Sequence, residues 1–322
     1  MRIAIVTPAA ASTRTGNRHT ASRYAAFLRG AGHRVAVGSR WDGAACDLLI
    51  ALHARRSHDS IARFRVRFPR GPLVLVLTGT DLYRDIRTDA SAQRSLDLAT
   101  LLVTLQDQGA LELPRRLRPK VRVVYQSARV ARRTAPRRGR FRVAVLGHLR
   151  DEKDPFRAAL ALRHLPGAAE IEVVQAGDAL EPAMAVEARS LERADPRYRW
   201  LDGVPHSRAL ALLASSGVLV LSSRMEGGAN VVCEAARAGV PVLASRIRGN
   251  VGMLGRGYPG YFPLGDDRAL ARLIARAQAD RAFYRALQAG IAARRALFVP
   301  AAERRGLLAV VREAVRIART RS

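Results

Sequence analysis

The amino-acid sequence predicts an α/β protein made of two successive doubly wound domains, each built around a parallel sheet. Short apolar runs alternate with helix-length stretches along most of the 322-residue chain, a length that suits two domains of ordinary size. This alternation breaks once, in the arginine-rich segment Arg129–Arg140, and then begins again. A segment without apolar periodicity between two such patterns is typical of a linker, so we expect two domains that face each other across a cleft.

The first domain is predicted over residues 1–138. Its apolar runs are nearly continuous, which is typical of parallel strands covered on both faces. The predicted strands are Ile3–Thr7, Arg34–Val37, Leu48–Leu52, Leu73–Leu77, Leu101–Leu105 and Val121–Tyr125, and the stretches of helical length include Arg18–Arg29, Ser57–Phe68 and Ala90–Ala99. Strands alternating with helices in this way predict a doubly wound domain with a parallel sheet.

The second domain is predicted over residues 139–298 and repeats the same pattern. Its strands are expected at Phe141–Leu149, Ile171–Gln175, Trp200–Gly203, Val218–Leu221 and Val242–Ser245, with a weaker one at Tyr261–Pro263. The tail is almost wholly helical. Its last helix, about Ala301–Arg319 within 299–322, has no strand after it, so we expect it to return and pack on the first domain.

Composition limits the classes of function. The net charge is +28, but 53 of the 55 basic residues are arginine, a bias that spreads charge over every solvated face rather than forming one patch. Aromatic residues make up only 5% and do not interleave with the basic runs, which argues against nucleic-acid binding. No apolar run is long enough to span a bilayer, and Cys46 and Cys233 fit no metal or redox spacing, which indicates a cytoplasmic protein.

The segment 221–245 carries the strongest functional pattern. An apolar strand runs into Glu226, the pair Gly227 and Gly228, then Asn230 and a short helix that holds Glu234. A strand, a glycine-bearing turn and a helix place backbone N–H groups and a positive dipole end at the carboxyl edge of a parallel sheet, where anions bind. A carboxylate in the second helical turn is well placed to accept ribose hydroxyls. The segment therefore predicts a site for a nucleoside diphosphate, and the second glutamate suggests an attached sugar.

A second loop, Gly147–Lys153, follows the first strand of the second domain. Arg150 and Lys153 lie three residues apart and could both reach a diphosphate leaving group, where fixed cations stabilise developing negative charge. A solvated surface turn is the alternative interpretation. The chain has no Asp-x-Asp motif, so we expect no metal site, and no Gly-x-Gly-x-x-Gly follows the first strand, which argues against a dinucleotide cofactor. No cofactor of any other kind is expected.

Polar residues also follow several predicted strands of the first domain. The candidates for binding an acceptor are Asn17, Arg18, His53, Arg55, Thr80 and Asp81, beside Arg14, Gly16, Arg56, His58, Thr78, Gly79, Gln126 and Ser127 in the same loops. A set rich in arginine and hydroxyl groups suits a small, doubly charged acceptor such as a phosphate ester. Arginine-rich loops are also what this composition produces anywhere, and His53 is equally consistent with a buried structural histidine.

These motifs together resemble a known family. The Gly147–Lys153 loop, Gly177-Asp178, the Glu226–Glu234 segment and Gly249-Asn250 look like the retaining GT-B glycosyltransferases of family 4 over about Phe141–Asp267. The resemblance implies two Rossmann-like domains, an acceptor domain followed by a donor domain. Carried over by position, it implies that Arg150 and Lys153 bind the donor diphosphate, that Glu234 takes the ribose hydroxyls and that Glu226 contacts the hexose. This chain has Gly228-Ala229 where the family usually has a bulky residue.

A narrower resemblance spans nearly the whole chain. The segments TRTGNRHTA (13–21), ALHARRSHDS (51–60), LTGTDLYRD (77–85), QRSLDLA (93–99) and SRMEGGANVVCEA (223–235) resemble the selenosugar synthases of selenoneine biosynthesis. The resemblance implies that selenophosphate supplies a selenium nucleophile and that UDP-N-acetylglucosamine or UDP-glucose supplies the sugar, giving a 1-selenosugar, UDP and phosphate. An ordinary family 4 glycosyltransferase acting on an alcohol or a sugar phosphate is the main alternative. A non-enzymatic basic binding module comes third and a sugar-nucleotide epimerase fourth.

Overall fold

The computed structural model describes residues 1–8, 16–129, 140–167 and 170–320. Most of the predicted linker Arg129–Arg140 lies outside these residues, as does Arg14. The strands are β1 (Arg2–Val6), β2 (Arg34–Gly38), β3 (Leu48–Leu52), β4 (Leu73–Leu77), β5 (Leu101–Thr104), β6 (Val121–Val123), β7 (Phe141–Leu146), β8 (Ile171–Ala176), β9 (Tyr198–Trp200), β10 (Val218–Leu221), β11 (Val242–Ser245) and β12 (Tyr261–Phe262).

The helices connect these strands and end the described chain. They are α1 (Gly16–Arg29), α2 (His58–Arg67), α3 (Ile86–Thr88), α4 (Ala90–Leu98), α5 (Arg157–Ala161), α6 (Pro182–Ala194), α7 (His206–Ala214), α8 (Asn230–Ala238), α9 (Arg248–Leu254), α10 (Asp267–Ala279), α11 (Arg281–Arg294) and α12 (Pro300–Thr320). A π-helical turn occupies Asp81–Asp85, and short 3-10 turns occupy Asp107–Glu112, Arg115–Lys120, Asp151–Lys153, Leu162–His164 and Arg295–Phe298.

The chain divides into two compact units. Unit 1 comprises Met1–Gln126, Glu226–Gly228 and Pro300–Ser322, and unit 2 comprises Ser127–Met225 and Ala229–Val299. Each unit contains one six-stranded sheet, and every pairing in both sheets is parallel. The predicted α/β class with two doubly wound sheets is therefore confirmed.

The two sheets differ in strand order. Unit 1 has the order β2-β1-β3-β4-β5-β6, and unit 2 has the order β12-β11-β10-β7-β8-β9. The order reverses between β1 and β3 in unit 1 and between β7 and β10 in unit 2. In open α/β sheets these reversal points mark where the crossover helices diverge to opposite faces, which opens a crevice at the carboxyl ends of the strands.

The core of unit 1 follows from the two-residue repeat of its strands. Leu48, Ile50 and Leu52 pack with α1 and α12 on one face, whereas Leu49 and Ala51 pack with α2 and α4 on the other. Because β3 is buried on both faces, its whole length is apolar. The helix α12 contributes Leu307, Val310, Val311 and Ala314 to the first of these clusters, which confirms that the last helix packs on the first domain.

None of the helices in the described part of the chain combines the length and the apolar character needed to cross a membrane.

A buried ion pair also joins α12 to α1. Glu303 is 1% exposed, and the Nε atom of Arg23 donates to both of its carboxylate oxygens, at 3.2 and 3.1 Å. The stability of the fold depends on this pair, because removing Arg23 would leave the charge of the buried Glu303 carboxylate without compensation.

We predict that Arg23→Ala lowers the free energy of unfolding of unit 1 by about 3 kcal/mol, the usual cost of breaking a buried pair from one side. Urea unfolding of the full chain at neutral pH measures this loss. Arg304→Ala, which removes an exposed arginine beside Glu303, is the matched control and should change stability by less than about 0.5 kcal/mol. Equal effects of the two substitutions would contradict the assignment.

Candidate functional site

A small cavity lies at the carboxyl edge of the unit 2 sheet, where the strand order reverses. Its lining comes from the ends of β7, β8 and β10 and from the loops that follow β7 and β10: Val145, Leu146, Gly147, His148, Lys153, Pro155, Gln175, Val220, Leu221, Ser222 and Ser223. Of the predicted site residues, Gly147 and Lys153 are thus brought together here. This is the position at which a doubly wound sheet binds its ligand.

Glycine is required where the loops after β7 and β8 meet. Gly147 has φ +146° and Gly177 has φ +152°, and a Cβ atom on Gly177 would lie only 2.0 Å from the Gly147 carbonyl oxygen. The Leu149 amide then donates to the Asp178 carbonyl at 2.9 Å, so the two loops continue side by side beyond the sheet. This close backbone approach fixes the course of the loop that carries Lys153.

Hydrogen bonds from the loop after β10 hold the Lys153 turn. The Ser222 hydroxyl donates to the Asp154 carbonyl at 2.7 Å, and the Arg224 amide donates to the Glu152 carbonyl at 2.9 Å. Asp154 itself takes the left-handed conformation, with φ 44°, which reverses the chain directly after Lys153. Lys153 therefore lines the cavity on a turn that is anchored on both sides. Arg150, the other predicted cation, precedes this turn, is partly exposed and is not among the lining residues.

His148 is a cavity residue that the sequence interpretation missed. Its Nδ1 atom is buried and lies 3.3 Å from the Asp178 carboxylate, while 36% of the side chain is exposed. His148 is among the residues that line the cavity, and its Nδ1 atom faces the loop after β8. The position of His148 in the sequence could have indicated this contact, because His148 and Asp178 each follow a glycine that comes directly after a strand.

Glu234 lies in the second turn of α8, as the sequence predicts, and Asn230 is the first residue of that helix. Gly239 ends the helix in the left-handed conformation, with φ 72°. The Glu234 Oε1 atom lies 2.9 Å from the Nε2 atom of His206, the first residue of α7. This hydrogen bond raises the pKa of His206 above its ordinary value, although partial burial opposes the change. No spacing in the sequence indicates this pair, because the two residues lie 28 positions apart.

The residues Glu226, Gly227 and Gly228 cluster with unit 1 rather than with the helix that follows them. Glu226 is 6% exposed. A Cβ atom on Gly227 would lie 2.3 Å from the Thr78 carbonyl oxygen, and one on Gly228 would lie 2.5 Å from the Cβ atom of Leu105. Close packing therefore requires glycine at both positions. The sequence explained this glycine pair by an anion-binding turn, and the structure adds that a side chain would not fit there.

In unit 1 the Asp81 carboxylate joins the loops after β3 and β4. Its Oδ1 atom accepts hydrogen bonds from the Thr78 and Gly79 amides at 2.9 and 2.8 Å, and its Oδ2 atom accepts one from the Ala54 amide at 2.9 Å. Asp81 is 0% exposed. The carboxylate compensates backbone donors that no strand can satisfy, and it thereby fixes both loops relative to each other.

His53 lies directly after β3 and beside Thr80. It is 2% exposed and takes φ 75°, an unusual value for a non-glycine residue. The Arg56 amide donates to Nδ1 at 3.3 Å, so the neutral ring carries its proton on Nε2, which lies 3.1 Å from the Thr80 hydroxyl oxygen. Burial lowers the pKa of His53 below its ordinary value, and the nearby Asp81 and Asp85 only partly oppose this.

The remaining acceptor candidates lie on the same unit. The Arg55 Nε atom donates to the Asp85 carboxylate at 2.9 Å, and 40% of the Arg55 side chain is exposed. Asn17 and Arg18 are partly exposed in the first turn of α1, where no acidic residue neutralises the helix dipole. His53 and Thr80 are thus in direct contact, and Arg55 is linked to them through Asp85, whose carboxylate lies 3.8 Å from the His53 Nε2 atom. Asp81 holds the loops that carry these residues, whereas Asn17 and Arg18 lie on a separate element.

Among the residues that the structure describes, no cluster of histidine, cysteine and acidic side chains could hold a metal ion.

We predict that His53 contributes to acid sensitivity. Its folded pKa is lowered, so stability that is present above the unfolded pKa of about 6.5 is lost as the pH falls, because the unfolded state binds the proton first. His53→Asn keeps a residue that tolerates positive φ but cannot titrate in this range. Its urea midpoint should fall less than that of the wild type between about pH 7.5 and pH 5. If His53→Asn and the wild type lose stability equally over this range, the folded and unfolded pKa values of His53 are alike and the prediction is wrong.

The chain matches the family described as Glycosyl transferases group 1 over residues 128–294. HepE of Anabaena, solved with UDP and glucose, is 15% identical with a TM-score of 0.75 and covers 97% of this chain and 100% of its own. Sucrose-phosphate synthase of Thermosynechococcus elongatus is 17% identical with a TM-score of 0.77, covering 97% and 98%. These likenesses establish a shared GT-B fold. A search of curated proteins found no match. Because the family match spans more than half of the 322 residues, the chain belongs to the group 1 glycosyl transferases.

Proposed function

We propose that this glycosyltransferase moves a hexose from a UDP-sugar, UDP-N-acetylglucosamine or UDP-glucose, to selenophosphate. The observation that carries the donor half is the unit 2 cavity, which lies at the strand-order reversal and is bordered by Lys153 and the Gly147 loop. The acceptor half is supported by the five segments that resemble selenosugar synthases and by the arginine-bearing loops of unit 1. HepE, which shares the fold, was solved with UDP-glucose bound.

The proposed reaction forms a carbon–selenium bond. The selenium atom of selenophosphate attacks C1 of the hexose while the bond between C1 and the diphosphate oxygen breaks, and UDP leaves with both electrons of that bond. Water then cleaves the phosphorus–selenium bond, which yields the 1-selenosugar and phosphate. The selenium is already anionic and soft, so the attack needs no strong general base. Catalysis depends instead on stabilising the charge that develops on the diphosphate.

On the donor side, we assign Lys153 and Arg150 to the diphosphate and Glu234 to the ribose hydroxyls. Lys153 suits this role because it lines the cavity on an anchored turn and carries a compact ammonium in a chain with only two lysines. Glu226 is assigned to the hexose. The backbone at Gly147, Gly227, Gly228 and Asn230 would shape the site around the donor.

On the acceptor side, Arg55 and Arg18 are assigned to the dianion. Arg55 is partly exposed, and Arg18 lies in a helix first turn that favours anions. The Thr80 hydroxyl, whose oxygen faces the Nε2–H group of His53, is a further donor at the same loops, and Asn17 neighbours Arg18. Asp81 would act indirectly, since its oxygens already hold three backbone amides.

The proposal is tested by incubating the pure protein with UDP-glucose or UDP-N-acetylglucosamine and following UDP release. We expect release with selenophosphate and much slower release with ordinary phosphate or with simple alcohols and sugar phosphates. Faster transfer to an alcohol or to a sugar phosphate would favour an ordinary member of the family and would overturn the selenium assignment.

We predict different kinetic signatures for the two donor residues. Lys153→Ala should lower kcat by roughly 10²- to 10³-fold, the cost of deleting one donor to developing negative charge. Lys153→Arg should recover part of this loss.

Glu234→Ala should instead raise KM for the UDP-sugar with little change in kcat, because a ribose contact is equally strong in the ground and transition states. A pure loss of kcat in Glu234→Ala would contradict the ribose assignment.

We predict that Arg55→Gln raises KM for selenophosphate by roughly tenfold, as expected for losing one charge-assisted contact to a dianion. KM for the UDP-sugar should stay nearly constant. Arg34→Gln is the matched control, because Arg34 is an exposed arginine at the start of β2, at the amino edge of the same sheet. If Arg55→Gln and Arg34→Gln behave alike, the acceptor assignment of this loop is wrong.

A further inference from the structure

The carboxylate assigned to the ribose is already engaged in the structure. Glu234 Oε1 lies 2.9 Å from His206 Nε2, and the two residues belong to neighbouring helices, α8 and α7, that pack on each other. A carboxylate can only accept hydrogen bonds, so Nε2 carries the proton and His206 is the donor, whether its ring is neutral or charged. The contact therefore fixes the orientation of the Glu234 side chain.

The pair is asymmetric in exposure. The Glu234 side chain is 16% exposed and the His206 side chain is 63% exposed. Glu234 thus lies at the base of the contact with little freedom, and His206 covers it from the solvent side. An ionised carboxylate offers about four lone-pair directions on two oxygens, and His206 takes one of them. Oε2 and the remaining direction on Oε1 are left for a ligand that donates from neighbouring hydroxyl groups.

Local structure holds His206 in place. It is the first residue of α7 and directly follows Pro205, whose restricted backbone sets the start of the helix. Asp202, with φ 59°, turns the chain between β9 and this helix. The imidazole therefore projects from a defined helix terminus, which is the condition for a supporting residue to preorganise the group it contacts.

We propose that His206 is a positioning residue that holds the Glu234 carboxylate ready for the vicinal hydroxyls of a nucleoside diphosphate. This inference rests on the proposed role of Glu234 in the donor site. His206 acts through Glu234 and not on the reacting atoms, so it affects the binding of the nucleoside part and leaves the chemical step at C1 unchanged. Without His206, the carboxylate loses its fixed orientation and must be ordered when the ligand binds.

The test uses UDP and 2′,3′-dideoxyuridine diphosphate as calorimetric probes of the full-length protein. His206→Ala should weaken UDP binding about fivefold, the scale of a partly exposed charge-assisted contact. Binding of the dideoxy compound, which has no hydroxyl groups for Glu234, should be weak already and change less than about twofold. His206→Gln should restore UDP affinity, because its amide N–H reaches the same distance along the side chain as Nε2.

Turnover provides the second readout. His206→Ala should raise KM for the UDP-sugar with kcat nearly unchanged. Arg208→Ala, an exposed cation on the same helix, is the matched control and should leave UDP affinity as it is. An equal loss of affinity for UDP and the dideoxy compound, no loss for either, or a failure of glutamine to restore binding would overturn the positioning role alone. A wild-type protein that does not bind UDP would overturn this inference together with the proposed function.

Discussion

The burial of both faces of each parallel sheet is the constraint that organises this protein. Strands such as β3 and β4 are apolar along their entire length because every side chain meets a helix on one face or the other. Polar chemistry is thereby excluded from the strands and confined to the loops at their ends. For this reason His53, Asp81 and Lys153 all lie in loops that follow the carboxyl end of a strand, after β3, β4 and β7 respectively.

The loops gain order from carboxylates used in two different ways. Asp81 satisfies three backbone amides and has no exposed surface, so it acts as a scaffold that joins two loops. Glu234 instead accepts a hydrogen bond through Oε1 from the side chain of His206 on a neighbouring helix, and no residue that the structure describes donates to its Oε2 atom. Both residues looked like candidate ligand groups in the sequence, and only their surroundings separate the roles. A carboxylate that already holds several amides has little capacity left for a ligand.

The fold was largely predictable because burial leaves a direct trace in the sequence. Leu48–Leu52 and Leu73–Leu77 were predicted to the residue, since Asp47 and His53 bound the first apolar run and Pro72 and Thr78 bound the second. The strand predicted to reach Leu149 instead ends at Leu146, because Gly147 takes a positive φ and turns the chain. The strand predicted at Trp200–Gly203 is Tyr198–Trp200, where Arg199 on the exposed side interrupts the apolar pattern.

The site was less predictable because its contacts join residues that are distant in sequence. Glu234 and His206 are 28 residues apart, and Asp81 contacts Ala54 from 27 residues away. Local spacing paired Arg150 with Lys153 as the two cations of the loop, whereas the structure places His148 beside Lys153 at the cavity. Periodicity reports which face of an element is buried, but it carries no information about which strand-end loops become neighbours.

The return of α12 to unit 1 has a consequence for how the chain acquires its structure during translation. On one face of the first sheet, the part that α1 does not cover packs against Leu307, Val310, Val311 and Ala314, which leave the ribosome only after all of unit 2 has been made. Unit 2 is continuous apart from three residues and can complete its core beforehand. Although domains generally fold in order from the amino terminus, the first unit of this protein must wait for its last helix with part of one apolar face uncovered.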